Sequence, residues 1–165
     1  MSHPPVIDGL DFARTGSILD GAWPVSGFSR LRDVLRTAEG TLQYGLRGVP
    51  QERGCPALRL TVGGALQLVC QRCLGALEYP LQIDVSLLLA ATQAEVDAEP
   101  LLADGPERIV AGREMPVLDL VEDEVLLAIP LAPRHERCVG REARAATQDG
   151  SPFAVLRGLV GGTRH

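Results

Sequence analysis

The spacing of hydrophobic residues shortens from about 3.6 to about 2 near residue 40, and this change predicts where helix gives way to sheet. In residues 30–38, apolar side chains recur at positions i, i+3, i+4 and i+7, with Ser29 as N-cap and Gly40 as C-terminal cap. This pattern predicts a short amphipathic helix. Residues 1–28 are rich in Pro and Gly, which predicts an extended N-terminal arm or a single edge strand.

Alternation of apolar and polar residues then predicts strands with one solvent-facing side. Residues 42–47 and 58–62 alternate, and Gly63-Gly64 is a hairpin signal that returns the chain into 66–68. The clearest strand has six apolar residues on one face: Tyr79, Leu81, Ile83, Val85, Leu87 and Leu89. Consecutive strands with short connections predict an antiparallel β-meander or a partly open barrel. No strand–helix–strand alternation appears, so a doubly wound nucleotide-binding fold is not expected.

The second half of the chain shows an acidic loop followed by a helix. Residues 91–116 contain three prolines and no clear period, which predicts a loop with one short strand near Arg108–Val110. Apolar residues then return at helical spacing over 118–129, and Pro130 ends this predicted helix. We therefore predict an α+β core over residues 29–138, packed with two or three short helices.

The C-terminal tail, residues 139–165, is predicted to be an exposed basic segment that ends in a short helix. Ser151-Pro152 places a capping hydroxyl before a proline at the first helical position. Phe153, Leu156 and Val160 follow at near-helical spacing.

Composition and charge limit the classes of function. The chain has 165 residues, 45% of them hydrophobic, which suits one ordinary domain. The longest nearly uncharged apolar run, Val85–Ala91, is too short to cross a bilayer, and no leader pattern begins the chain. We therefore expect a cytoplasmic protein without a membrane partner.

Charge is unevenly distributed along the chain. Residues 91–133 carry two Arg and ten acidic residues, whereas residues 134–165 carry six Arg and three acidic residues. All 16 basic residues are Arg, and the formal net charge is −5. A protein that holds RNA through a uniformly positive surface would not have this charge. Any contact with nucleic acid must therefore be a local basic patch, or another protein must assist it.

The tetrapeptide Cys70-Gln71-Arg72-Cys73, between two predicted strands, carries the most informative chemistry. Two thiolates at this spacing in a tight turn can bind one zinc ion, and a closed structural site needs four ligands. His135 and Cys138, just after the Pro-terminated helix, would complete the set. The sequence therefore predicts a structural zinc site formed by Cys70, Cys73, His135 and Cys138.

Two alternatives to this site remain open. Cys55 competes with His135 as the fourth ligand, because only tertiary structure could bring residues this distant together. The thiols could instead be reduced cysteines without metal, or a redox pair. A redox CxxC of the thioredoxin type opens a helix after a parallel strand, whereas this one lies in a predicted hairpin.

Two charged clusters are candidate binding surfaces. Asp119, Glu122 and Asp123 lie together on the predicted helix and could hold a cation or face a basic partner, although such a stripe is more often the solvated face. The basic cluster, Arg134, Arg137, Arg141 and Arg144, is either a solvated segment or a phosphate contact. With six aromatic residues and no aromatic-rich basic strand, a base-stacking sheet surface is not supported.

For catalysis the sequence offers little. It has no nucleophile elbow and no phosphate-binding glycine loop, and His135 is its only internal histidine. We therefore expect neither an enzyme nor a small-molecule substrate.

Together, the segment Val69–Gly75, the alternating strand that follows it, the acidic helix ending at Pro130 and the terminal Ser-Pro-Phe segment resemble the YceD family. These are the large ribosomal RNA subunit accumulation proteins of bacteria and plastids. The positions that match the family's pattern are Cys70, Arg72, Cys73, Glu122, Asp123, Glu124, Pro130 and Cys138.

The resemblance implies a non-enzymatic factor that supports synthesis, processing or stability of large-subunit (23S) ribosomal RNA during ribosome assembly. On this hypothesis Arg72, Arg134 and Arg137 approach phosphate, while the acidic segment, with Glu122 and Asp123, engages basic ribosomal proteins. Two rival hypotheses are a zinc-stabilised protein–protein adaptor that never contacts RNA, and a redox-responsive regulator that uses Cys70 and Cys73.

Overall fold

The computed structural model describes residues 4–98 and 106–138, which form a mixed α+β structure built mainly of strands. The elements in chain order are β1 (Val6–Ile7), α1 (Gly9–Thr15), β2 (Ile18–Pro24), β3 (Leu35–Thr37), β4 (Thr41–Glu52), β5 (Cys55–Val69), β6 (Ala76–Ala90), α2 (Gln93–Ala98), β7 (Glu107–Val110), β8 (Met115–Pro116) and α3 (Val117–Ala128). Two 3-10 turns, Val25–Gly27 and Leu31–Asp33, lie between β2 and β3.

The main sheet has the strand order β2-β4-β5-β6-β7, and β3 pairs with the far end of β5. All its pairings are antiparallel except β6 with β7, which is parallel. The short strands β1 and β8 form a separate pair. Because β2 and β7 do not pair among the described residues, the sheet is open. The meander is confirmed for β4, β5 and β6, whereas barrel closure is not seen.

The core lies on the face of the sheet that α1, α3 and the 3-10 turns cover. Alternate residues of β4, β5 and β6 point into it, as the period-2 pattern predicted, and its largest fully buried side chains include Phe28, Leu31, Leu46, Leu60, Val121 and Val125. Tyr79 on β6 donates a hydrogen bond to the Ala128 carbonyl, 3.1 Å away, and so ties the sheet to the end of α3. The predicted strand 79–89, short strand 108–110 and helix 118–129 are confirmed within a few residues.

The hairpin predicted at Gly63-Gly64 is wrong, because β5 runs through both glycines. A Cβ on Gly64 would lie 2.9 Å from the Thr41 carbonyl oxygen, so the missing side chain permits close approach of β4. The tight turn occurs instead between β4 and β5, where Arg53 and Gly54 both have positive φ, at 50° and 87°.

The helix predicted over 30–38 is also wrong. A 3-10 turn at Leu31–Asp33 is followed by β3, which pairs with β5 at Leu68 and Gln67. Strand β5 extends past the start of β4, and its exposed backbone groups need partners there. Those ladder hydrogen bonds outweigh the helical spacing of the apolar residues, and Val34, predicted to face the core, is 44% exposed.

The extended arm predicted for residues 1–28 is corrected in its described part. Helix α1 begins after Asp8, whose carboxylate accepts from the Asp11 N–H at 3.0 Å, and ends at Gly16 with φ of 63°. Of the alternative prediction, a single edge strand, β2 is present at the edge of the sheet and pairs with β4 alone among the described residues, but β1 and α1 precede it. Ala13, Val25 and Phe28 are buried in the common core. The predicted C-terminal helix lies outside the described residues.

The contact between α1 and β4 depends on Gly48. A Cβ at this position would lie 2.1 Å from the Phe12 carbonyl oxygen, so backbone atoms must move to admit one. We expect Gly48→Ala to lower the free energy of unfolding by about 2–3 kcal/mol, measured by urea denaturation. Gly63→Ala is the control, because nothing lies within 4 Å of its added methyl. Equal stabilities of the two variants would contradict this packing.

Candidate metal centre

The connection between β5 and β6 folds into a tight turn that carries Cys70 and Cys73. The Leu74 N–H donates to the Cys70 carbonyl at 2.8 Å, and the Cys70 N–H donates to the Gly75 carbonyl at 3.0 Å. Leu74 adopts a left-handed φ of 61°, which lets the chain reverse within six residues. The turn predicted around the CxxC is therefore present, between the two longest strands.

The second half of the site comes from the segment that follows α3. Pro130 ends the helix, and the chain then passes alongside the β5–β6 turn. The Gln71 N–H donates to the Pro133 carbonyl at 2.8 Å, so the two segments are joined by backbone as well as by side chains. This contact brings His135 and Cys138 to the cysteines of the turn.

Four ligand atoms from Cys70, Cys73, His135 and Cys138 lie within 4.8 Å of one another. Cys70 Sγ is 3.8 Å from Cys138 Sγ, and Cys73 Sγ is 3.5 Å from His135 Nδ1. A tetrahedral zinc ion, with bonds of about 2.3 Å to sulfur and about 2.0 Å to nitrogen, places its ligands about 3.5–3.8 Å apart. The cluster therefore has the size and donor set of a Cys3His metal site.

Groups around the ligands also suit a metal. His135 Nε2 lies 2.9 Å from the Ala76 carbonyl oxygen; an Nε2–H donating there leaves the Nδ1 lone pair facing the sulfurs. Arg72 Nε donates to Cys138 Sγ at 3.0 Å, and its Nη2 donates to the carbonyls of His135 and Glu136. The Arg72 guanidinium thus fastens the His135–Cys138 segment to the turn.

Burial and hydrogen bonding shift the pKa values of the residues at this site in opposite directions. Burial raises the pKa of Cys70, but hydrogen bonds from the N–H groups of Cys73, His135 and Arg72 outweigh it and lower the pKa to about 5. For Cys138, burial is likewise outweighed, first by the Arg72 hydrogen bond, and its pKa is lowered. Hydrogen bonds with Cys138 and Cys70 raise the pKa of His135. The fold therefore stabilises the thiolates of Cys70 and Cys138, the form that binds metal, whereas the pKa of Cys73 is raised.

Cys55 is not part of this cluster. It begins β5, whereas Cys70 directly follows the end of the same strand, and its described sulfur contact is Arg108 Nη2 at 3.5 Å. Of the two fourth ligands left open by the sequence, the structure brings His135 to the cysteines and leaves Cys55 away.

We expect Arg72→Ala to weaken zinc binding about 10- to 100-fold, the usual effect of removing a group that orients metal ligands. The measurement is competition with a chromogenic chelator under reducing conditions. Arg53→Ala, in the turn at the other end of β5, is the control. Unchanged affinity in the Arg72 variant would show that its hydrogen bonds to Cys138 and the carbonyls are dispensable.

The other predicted site residues fall in two places. Arg134 and Arg137 are exposed and line a cavity of about 790 Å³ beside the metal centre, together with Leu77, Tyr79 and Pro133. Glu122 is instead 2% exposed, so the solvated face predicted for it is wrong. Its partner is Arg30, which also pairs with the half-exposed Asp123.

Sequence reasoning missed Arg30, because nothing local to it indicates a partner 92 residues away.

A family model described as the large ribosomal RNA subunit accumulation protein YceD matches residues 58–159, which is more than half of the chain. The chain belongs to the YceD family. The range that matches the YceD model includes both halves of the metal centre and all of α3. Searches of curated proteins and of solved structures found no similar protein. Among the described residues, no helix of this YceD protein is long and apolar enough to span a membrane.

Proposed function

We propose that this protein is a non-enzymatic assembly factor that supports synthesis, processing or stability of 23S ribosomal RNA in the cytoplasm. The observation that carries the proposal is the YceD match over residues 58–159, since the family is described by accumulation of large-subunit ribosomal RNA. Large-subunit RNA or its precursor is the proposed partner, together with ribosomal proteins.

We propose zinc as the structural cofactor at the Cys3His cluster. The donor set favours zinc because soft thiolates with one imidazole in a tetrahedral arrangement suit it better than they suit magnesium or calcium. The four protein side chains would fill all four positions around a bound zinc ion and leave no coordination site for a substrate. Zinc would supply folding free energy here and hold two distant segments together.

RNA contact is proposed at the cavity beside the metal centre. Arg134 and Arg137 flank the ligand His135, and the half-buried Tyr79 also lines this cavity. Two guanidinium groups can each bind phosphate oxygens, and an aromatic ring can stack on an unpaired base. Glu78 and Glu136 also line this cavity, so the contact is a local patch. Arg72 acts indirectly, because its guanidinium is bonded to Cys138 and the ligand segment.

The test is co-purification of the tagged protein from its own cells, with and without ribonuclease, followed by sequencing of the bound RNA. We expect enrichment of precursor 23S RNA with the wild type, and at least fivefold less with Arg134→Glu plus Arg137→Glu. Arg53→Glu plus Arg113→Glu makes the same charge change at the other end of the sheet and should leave the enrichment unchanged. An equal loss of RNA enrichment in both double variants would show that net charge, and not this cavity, determines RNA binding.

A protein–protein adaptor is the second candidate function, and the charge of residues 91–133 favours it, with two Arg against ten acidic residues. Such a protein would bring basic partners together without touching RNA. Its interactions would survive ribonuclease, and the RNA enrichment would be absent from every sample. That result would contradict the RNA contact while leaving the zinc site intact.

The redox hypothesis is the least favoured of the three. A reactive cysteine needs a thiolate of lowered pKa that solvent can reach. Cys70 has the lowered pKa but is fully buried. The N–H of Gly75 lowers the pKa of Cys73, yet burial and the neighbouring Cys70 and Cys138 outweigh it, so the pKa is raised. Neither member of the CxxC pair meets both conditions.

A further inference from the structure

A second cavity, between α3 and β7, combines an apolar lining with acidic side chains. Its volume is about 360 Å³. The lining residues are Leu87, Glu107, Ile109, Leu120, Asp123, Glu124, Leu126 and Leu127. None of them lines the metal centre or the cavity beside it. We call it the α3–β7 cavity.

Glu124 is the unusual member of this lining. It is only 9% exposed and lines the cavity, and no hydrogen bond or ion pair to its carboxylate is found within residues 4–98 and 106–138. Burial, then the charges of Glu107 and Asp123, raise its pKa. Burying a carboxylate without a partner costs free energy. Glu122, two residues earlier, shows the contrast, because its carboxylate accepts three hydrogen bonds.

The charge at the α3–β7 cavity is not balanced by its surroundings. Asp123 is paired with Arg30, which leaves Glu107 and Glu124 without a cation among the described residues. Leu127 projects beside them with 69% of its surface exposed. A ligand that matches this surface carries both a cationic group and an aliphatic one.

A divalent cation is a poorer match. Among the described residues, only Cys70, Cys73, His135 and Cys138 bring their ligand atoms within 4.8 Å of one another as a metal site requires. The carboxylates of Glu107, Asp123 and Glu124 do not converge in this way. Their spread along the wall suits several side chains of one segment better than a single ion.

We propose that the α3–β7 cavity binds a basic polypeptide segment of a partner protein. An aliphatic side chain of that segment enters between Ile109 and Leu126, while Arg or Lys side chains pair with Glu107 and Glu124. Identification of the partner as a ribosomal protein rests on the proposed function, whereas binding of a basic segment does not.

The probe is a fluorescein-labelled synthetic peptide of alternating Leu and Arg, with a matched peptide in which Gln replaces every Arg. Fluorescence anisotropy with the full-length, zinc-loaded protein gives Kd at two salt concentrations. We expect Glu107→Gln plus Glu124→Gln to weaken binding of the Arg peptide about tenfold or more, with a smaller salt dependence. Glu39→Gln plus Glu114→Gln, two exposed acids elsewhere, is the matched control and should bind as the wild type.

A thermal melt separates loss of binding from loss of folding. Because the carboxylate of Glu124 has no hydrogen-bond or ion-pair partner among the described residues, Glu124→Gln should raise Tm or leave it unchanged. The same variant should weaken binding of the Arg peptide. Equal binding of the Arg and Gln peptides, equal weakening by the control pair, or no binding to the wild type would each overturn the proposal. Since neither peptide nor readout involves RNA, failure here leaves the 23S RNA proposal standing, and the reverse also holds.

Discussion

Cys70→Ser will leave the protein with less than about a tenth of the zinc of the wild type, and Tm will fall by about 10 °C or more. Cys70 is the fully buried ligand, and its sulfur lies 3.8 Å from that of Cys138. Serine offers a hydroxyl that is a weak zinc ligand and leaves three donors in a site built for four. The measurements are zinc per chain by mass spectrometry and a melting curve on the same sample.

Cys55→Ser is the control for this prediction, because Cys55 lies away from the cluster and contacts Arg108. It should keep full zinc content and nearly the same Tm. A chelator should lower the Tm of the wild type and of this control, but not that of the Cys70 variant. Full zinc content in the Cys70 variant would show that the metal binds elsewhere.

Glu122→Ala is expected to lower the free energy of unfolding by about 2–4 kcal/mol. The carboxylate of Glu122 accepts hydrogen bonds from the backbone N–H groups of Arg30, at 2.6 Å, and Leu31, at 3.1 Å. It also accepts one from the side-chain Nε of Arg30, at 3.0 Å. It thus caps the 3-10 turn at Leu31–Asp33 from a different element. Alanine would leave the backbone N–H groups of Arg30 and Leu31 without this acceptor, and the bond lost at Leu31 is buried. Urea denaturation with zinc present measures the effect.

Two further variants make this prediction specific. Glu122→Gln keeps an acceptor for the backbone N–H groups but loses the ion pair, so we expect an intermediate loss. Asp123→Asn removes the half-exposed partner of Arg30 and should cost less than about 1 kcal/mol. If Asp123→Asn destabilised the protein as much as Glu122→Ala, the capping role of Glu122 would be wrong.

The sequence predicts those parts of the fold whose pattern is local. Strand β6 and helix α3 each carry a complete hydrophobic face, and their bounds follow from that face and from Pro130. The residues around Leu31 and Leu35 have the same helical spacing but form a turn and a strand. Strand β3 pairs with the end of β5 that β4 leaves without a partner strand, and no local pattern reveals that need.

The metal ligands could be proposed from residue type and spacing, because CxxC and HxxC are short motifs with known chemistry. The choice between His135 and Cys55 could not be made from sequence, since it depends on which end of β5 meets the end of α3. The role of Arg30 and the burial of Glu122 depend in the same way on contacts between distant segments. A polar residue on a helix looks solvated until the element packed over it is known.

The two halves of the metal centre are also separated in the time of synthesis. Cys73 precedes His135 by 62 residues. At about 5–20 residues per second, this interval lasts about 3–12 s during translation. Throughout it, the nascent chain offers only two of the four ligands, Cys70 and Cys73, while β6, β7 and α3 are still being made. Coordination by all four ligands would therefore become possible only after the whole sheet has been synthesised, so metal loading would mark the completion of the described part of this fold.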